Sequence, residues 1–280
     1  MRQETFKLSN GLEFPKIGFG TYKTTLNNDA EIIELAIKAG YKYFDTASFY
    51  ENEQFIAQAI ANSGISREEI FLASKLWKSE MGYENSKHAL EQTLRNLGTD
   101  YLDLYLIHWP RPDLNSDWKQ IDIETWHSME ELYKSGKVRA IGLSNFLPHH
   151  IENIIRNCEI KPMVNQLEIH PGHTQESAVN YCKSHDIFVQ AWSPIGRARV
   201  LNDELILELA EKYHASPAQI CVKFCVQKNI MPLPKSSSPE RMRENLESLN
   251  VNISQEDFWR LDTMPPLGWG GEHPDRERIL

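Results

Sequence analysis

The 280-residue sequence lacks both common glycine-rich phosphate loops. After Gly18 and Gly20, the G-x-G-x-x-G pattern needs a glycine where Lys23 stands, and no G-x-x-x-x-G-K-[ST] occurs. These absences set aside a Rossmann dehydrogenase and a nucleotide triphosphatase as first readings. No apolar run approaches the roughly 20 residues that cross a bilayer, and the polar opening Met1-Arg2-Gln3-Glu4-Thr5 has no signal-peptide core. Basic residues are outnumbered, 30 against 39 acidic, for a net charge of −9 and a pI near 5.6. That balance argues against nonspecific nucleic-acid or membrane partners, which need a basic face. Cysteine is scarce: Cys158, Cys182, Cys221 and Cys225 are too few and scattered for a disulfide framework. Cys221 and Cys225 stand at helical i, i+4 spacing with no third and fourth zinc-like ligand, so they read as a buried helix face and no metal is expected. A reducing, cytoplasmic setting fits best. There is also no low-complexity segment and no linker, so residues 1–280 are expected to form one domain.

What is present is a strand-then-helix rhythm. Residues 6–14 read as a hairpin around Asn10-Gly11, a strong turn signal flanked by apolar alternation. Short apolar runs follow at 17–19, 43–44, 71–73, 102–107, 138–143, 163–167, 187–192 and 230–233. Helical patterns separate them: one capped by Asp29 and stopped at Gly40, 51–62 before Gly64, 84–97 closed by Gly98, and 123–135 stopped by Gly136. Others are opened by Pro148, or run over 175–184, 203–214, 218–228 after Ser216-Pro217, and 239–249. Such alternation means a parallel sheet covered by helices. Eight units without a composition break favour a closed barrel, although an open doubly wound sheet shares the rhythm. The irregular tail, 265–280, reads either as a lid over the carboxyl ends of the strands or as a loose terminus.

Several strand runs end in reactive side chains. They are Asp45-Thr46-Ala47 with Tyr50 close behind, Ser74-Lys75-Leu76-Trp77, and Ile107-His108-Trp109-Pro110. Residues at the carboxyl ends of parallel strands converge however far apart they lie in sequence. A phenol of ordinary pKa, about 10, is a poor acid at neutral pH. An ammonium nearby is expected to lower it, and a carboxylate keeps that ammonium charged and placed. His108 alone would read as an ordinary half-buried histidine.

Together these blocks resemble the aldo-keto reductase superfamily, in its short microbial form, over nearly the whole chain from Phe6 to Arg278. The resemblance implies a (β/α)8 TIM barrel with an N-terminal β-hairpin, acting as a monomer. It carries a catalytic tetrad onto Asp45, Tyr50, Lys75 and His108. It also implies NADPH/NADP+ lying extended across the strand ends, lined by Thr21, Tyr22 and Asp45. Ser144, Asn145 and Gln166 match the family's partners for the carboxamide, a group presenting one acceptor and two donors. Trp192, beside Ser193, takes the stacking place more often held by tyrosine. Lys235, Ser236, Ser238, Arg241, Glu244 and Asn245 match the adenosine and 2′-phosphate segment, with Ser238 where asparagine or threonine is common. Tyr22, Trp77, His108 and Trp109, joined by Phe49, would wall a pocket for aldehydes or ketones with an apolar or aromatic body.

Two rival readings stand beside this one. A metal-assisted hydrolase or isomerase would need more histidines and carboxylates at the strand ends than His108 and Asp45. A non-catalytic relative would bind the cofactor as a regulatory or structural protein, and the intact tetrad speaks against it.

Overall fold

The computed structural model describes residues 4–24 and 30–276. Asn10-Gly11 turns the chain between β1 (Thr5–Lys7) and β2 (Glu13–Pro15), which pair antiparallel with Phe6 opposite Phe14. Gly11 takes φ of 88°, a left-handed value that explains glycine there. The hairpin's aromatic face packs on the amino ends of barrel strands: Phe14 lies 5.1 Å from Phe188 and 5.8 Å from Phe71, ring centre to ring centre. One mouth of the barrel is thereby plugged.

Eight parallel strands follow in chain order: β3 (Phe19–Gly20), β4 (Tyr43–Asp45), β5 (Phe71–Leu76), β6 (Leu104–Ile107), β7 (Ile141–Ser144), β8 (Val164–Glu168), β9 (Phe188–Trp192) and β10 (Met231–Leu233). Each pairs with the next, and Gly18 and Gly20 close the ring by donating backbone hydrogen bonds to Pro232 and Pro234 at 3.1 Å. A Cβ on Gly18 would lie 2.6 Å from the Leu233 and Tyr43 side chains, and one on Gly20 would lie 3.0 Å from the Leu233 carbonyl, so glycine at both positions leaves room at this seam. The barrel interior is filled by side chains such as Tyr43, Leu106 and Met231, all fully buried, while Phe19 and Phe44 alternate outward against Tyr41 under the helices.

The outer helices are α1 (Glu31–Ala39), α2 (Glu53–Ser63), α3 (Tyr83–Leu97), α4 (Trp118–Lys134), α5 (Pro148–Ile155), α6 (Glu176–Ser184), α7 (Glu204–Lys212), α8 (Pro217–Gln227), α9 (Pro239–Glu247) and α10 (Gln255–Asp262). Gly40, Gly64 and Gly98 end their helices in the left-handed conformation, as their positions in the sequence predict. Ser216 opens α8 with a reciprocal cap against Gln219. The Asp29 cap lies outside the described residues. Helix α4 starts five residues before the predicted start at 123, at Trp118. Helix α10 was not expected; Ser254 caps it by accepting from the Asp257 amide, while Phe258 and Leu261 turn inward. Cys221 and Cys225 lie fully buried on α8, where burial pushes the Cys225 thiol up to about 12. No helix among the described residues is long and apolar enough to cross a membrane.

Candidate active site

The open mouth of the barrel holds a cavity of about 670 Å³. Asp45 ends β4, Lys75 lies in β5, and His108 follows β6 directly, so the three reach one place from adjacent strands. Tyr50 comes from a single 3-10 turn, Ser48–Tyr50, and aims its ring back at them. Asn52 fastens this loop, accepting from the Thr46 hydroxyl at 2.7 Å and donating to the Thr21 carbonyl at 2.9 Å. Its side chain is buried, and nothing in the sequence distinguishes it from a loop asparagine.

Lys75 is wholly buried, and its Nζ donates to Asp45 Oδ2 at 2.6 Å and to the Thr46 carbonyl at 2.9 Å. Asp45 Oδ1 accepts from Gln166 at 2.8 Å, so both carboxylate oxygens are engaged. The ammonium sits 5.2 Å from the centre of the Tyr50 ring. Burial pulls the lysine pKa down, and Asp45 pulls it part of the way back up. The expected lowering of the Tyr50 pKa is not what the structure shows. Burial drives this phenol well above its ordinary value, and the Asp45 carboxylate adds to the rise. Burial is the largest cause, and Tyr22 and Glu272 add to it against a smaller pull from Arg197. Tyr50 is therefore a fully protonated donor at neutral pH.

His108 meets Tyr50 edge-on, with ring centres 5.6 Å apart. Burial first, then the Lys75 and Lys78 charges, hold its pKa well below the usual range, so the ring is neutral. Its Nδ1 is buried without a hydrogen-bond partner among the described residues. His108 lines the cavity, but this nitrogen is shut off from it. Aromatic rings gather beside it: Trp77 lies 5.0 Å from His108, Phe49 stacks on Trp77 at 3.9 Å, and Tyr22 meets Tyr50 at 5.0 Å. Trp109 lines the same cavity.

Ser144, Asn145, Gln166, Trp192 and Ser193 line the opposite side. Asn145 donates to the His108 carbonyl at 3.0 Å and accepts from the Trp192 indole at 2.8 Å, which sets the indole ring's orientation. Gln166 also donates to Gln190, another buried amide absent from the predicted site. Asn145 (φ 64°) and Ser193 (φ 49°) hold left-handed backbone that non-glycine residues rarely adopt, and such strain collects at ligand sites. This donor set and aromatic face fit a nicotinamide. Of the predicted phosphate segment, Lys235 lines the cavity with its Nζ 3.3 Å from Ser237 Oγ. Ser236, Ser238, Arg241, Glu244 and Asn245 do not line it. Ser238 caps α9 through the Arg241 amide, the Arg241 side chain is exposed in the first turn, and Asn245 is buried against the Tyr41 phenol.

The tail resolves in favour of the lid as far as Arg276. Gly270 donates to Glu168 at 3.0 Å, and Asp275 takes Arg111 at 3.0 Å and His150 at 2.9 Å. Glu272, His273 and Arg276 thus reach the cavity wall. Asp275, His149 and His150 have metal-like spacing, with ligand atoms within 4.8 Å. The chemistry argues against a metal. His150 Nδ1 accepts from the Leu147 amide, so the neutral ring carries its proton on Nε2, towards Asp275, and Arg111 already holds that carboxylate. The cluster is a tail anchor.

Comparison with known proteins gives the family. The family model described as Aldo/keto reductase family matches residues 16–264. The chain is 42% identical over 274 residues to the glyoxal reductase of Bacillus subtilis, covering 98% of this chain and 97% of that protein. Among solved structures, an aldo/keto reductase from Brucella melitensis superposes with a TM-score of 0.87 at 37% identity, covering 92% of this chain and 98% of that one. A Bombyx mori aldo-keto reductase in complex with NADP superposes at 0.84 with 33% identity, covering 94% and 92%. With the (β/α)8 barrel, the buried Lys75–Asp45 pair under Tyr50 and these matches in hand, the chain belongs to the aldo/keto reductase family.

Proposed function

We propose that this protein reduces aldehydes and ketones to alcohols with NADPH. The observation that carries the reading is the stack of a buried Lys75–Asp45 ion pair, a protonated Tyr50 and a neutral His108 around one cavity. Bound NADPH would supply the hydride. Tyr50 gives its proton to the carbonyl oxygen as negative charge gathers there, and the Lys75 ammonium stabilises the phenolate left behind. His108, neutral, donates a ring N–H to the same oxygen and sets its direction. Ser144, Asn145 and Gln166 would hold the carboxamide, with Trp192 against the ring face. Selectivity for NADPH rests on Lys235, Ser236 and Arg241, since the Arg241 side chain has no ion pair among the described residues. The NADP complex of the Bombyx mori relative supports this choice.

The metal-assisted reading loses ground because both oxygens of Asp45 are already engaged. Four unpaired cysteines suit a reducing cytoplasm. The test is consumption of reduced nicotinamide, followed by absorbance, with a reactive aldehyde such as methylglyoxal. Turnover with NADPH well above that with NADH supports the proposal. Tight NADPH binding without turnover would assign the chain to a regulatory role instead.

A further inference from the structure

The substrate side of the cavity carries a lysine that the tetrad does not use. Lys78 follows Trp77 in a short 3-10 turn, Lys78–Glu80, at the end of β5. It lines the cavity together with Trp77, His108 and Trp109, and its Nζ lies 5.4 Å from the centre of the Trp109 ring. The side chain is half-buried, and no carboxylate of the described residues lies within ion-pair distance of it. Burial pulls this ammonium below its ordinary pKa and Arg111 pulls it further, while Glu272 pulls it back from a distance. Glu272 is itself 3.6 Å from Arg197, so its charge is shared. A cation that is partly desolvated, placed on an aromatic face and lacking a counter-ion at contact distance is a site for an anion.

We propose that Lys78 is a specificity-determining residue that binds a carboxylate on the substrate, so that short oxo-acids are preferred over neutral carbonyl compounds of the same length. This rests on the reductase reading above and narrows its substrate class. The geometry is suited to it. The Lys78 ammonium lies over Trp109, the residue next to His108, in the same cavity, and its charge is felt at the His108 ring, so a short carbon chain can link a carbonyl at His108 to the ammonium. Trp77 and Trp109 cover that short chain on its way. Arg276, at the end of the described tail, lines the same cavity and adds positive charge. The carboxylate takes no part in the chemistry; it fixes the substrate's far end.

The experiment compares 4-oxobutanoate with pentanal, in wild type, Lys78→Met and Lys78→Arg. We expect wild type to favour the acid, and Lys78→Met to lower the acid-to-pentanal ratio of kcat/KM by about tenfold or more, mostly through KM. Lys78→Arg should restore most of the ratio, and added salt should shrink it. A ratio that stays within about twofold of wild type in Lys78→Met overturns the assignment, as does a wild type that favours pentanal. A second measurement does not depend on turnover: titration with glutarate, read by quenching of tryptophan fluorescence. Lys78→Met should need about ten times more glutarate than wild type, and equal titrations refute the anion site. Were neither aldehyde reduced, the reductase reading would fall while the titration still decides on Lys78.

Discussion

Replacing Lys75 by methionine separates the stabilising from the chemical role of the buried pair. In wild type the Lys75 side chain is wholly hidden and Asp45 is 5% exposed, with 2.6 Å between their charged atoms. Removing the ammonium leaves a buried carboxylate supported by Gln166, and a Thr46 carbonyl that has lost its donor. Breaking one side of such a pair costs about 3–5 kcal/mol. At about 2 °C per kcal/mol for a chain of this size, Tm should fall by about 6–10 °C. Turnover should fall further than stability explains, by about 10²- to 10⁴-fold, because the phenolate left on Tyr50 loses its counter-charge. The double variant Lys75→Met/Asp45→Asn removes the uncompensated charge. Its Tm should recover most of the loss while its rate stays low. Calorimetry and steady-state reduction of methylglyoxal read the two quantities independently. A double variant that regains rate together with Tm would refute the argument, since Lys75 would then serve the fold alone.

Tyr50→Phe should cost about 10²-fold or more in turnover while leaving the NADPH dissociation constant within about twofold, measured by quenching of protein fluorescence; a smaller rate loss reassigns the proton donor. Arg241→Ala should raise KM for NADPH by about tenfold and leave that for NADH nearly unchanged, with the gap narrowing in salt; equal effects on both would show that Arg241 does not read the 2′-phosphate. The His150 ring is held to a pKa of about 4, mainly by burial and then by His149, against the restoring pull of Asp275. Between that value and the ordinary one the unfolded chain binds a proton that the folded chain refuses. Stability therefore falls as pH drops from 7 towards 4, by at most about 3 kcal/mol from this residue. Urea melts of wild type and His150→Asn at pH 7 and 4.5 should show a shallower pH dependence in the variant, and matching slopes would contradict it.

Much of the barrel was legible because each unit carries its own punctuation. Gly40, Gly64 and Gly98 stop helices through backbone that only glycine adopts cheaply, and Ser216-Pro217 opens one. Helix α10 escaped because its cap is a lone Ser254 with Asp257, a weaker sign than serine followed by glutamate. The meeting of Asp45, Lys75 and His108 was readable, since strand ends converge whatever lies between. The direction of the Tyr50 shift was not, because it depends on how much water the finished walls exclude, which no local pattern records. The same holds for Asn145 and Ser193, whose residue types give no hint of left-handed backbone. Gly270 acquires its meaning only beside Glu168, where a Cβ would stand 2.8 Å from the carboxylate. The lid was therefore one of two readings until the tail's partners were known.

The closure between β3 and β10 makes the barrel a ring with one slender joint. β3 is two residues long, and its facing partners Pro232 and Pro234 accept hydrogen bonds from Gly18 and Gly20 but have no N–H to return. At the strand ends on either side of this joint stand Thr21 with Tyr22 and Lys235 with Ser236, the residues proposed to flank a long dinucleotide. A ligand laid across those ends would act as a hoop, tying the first stave to the last. Occupancy of the mouth and integrity of the ring are then one property: whatever fills the mouth also braces the joint where the barrel is most easily sprung.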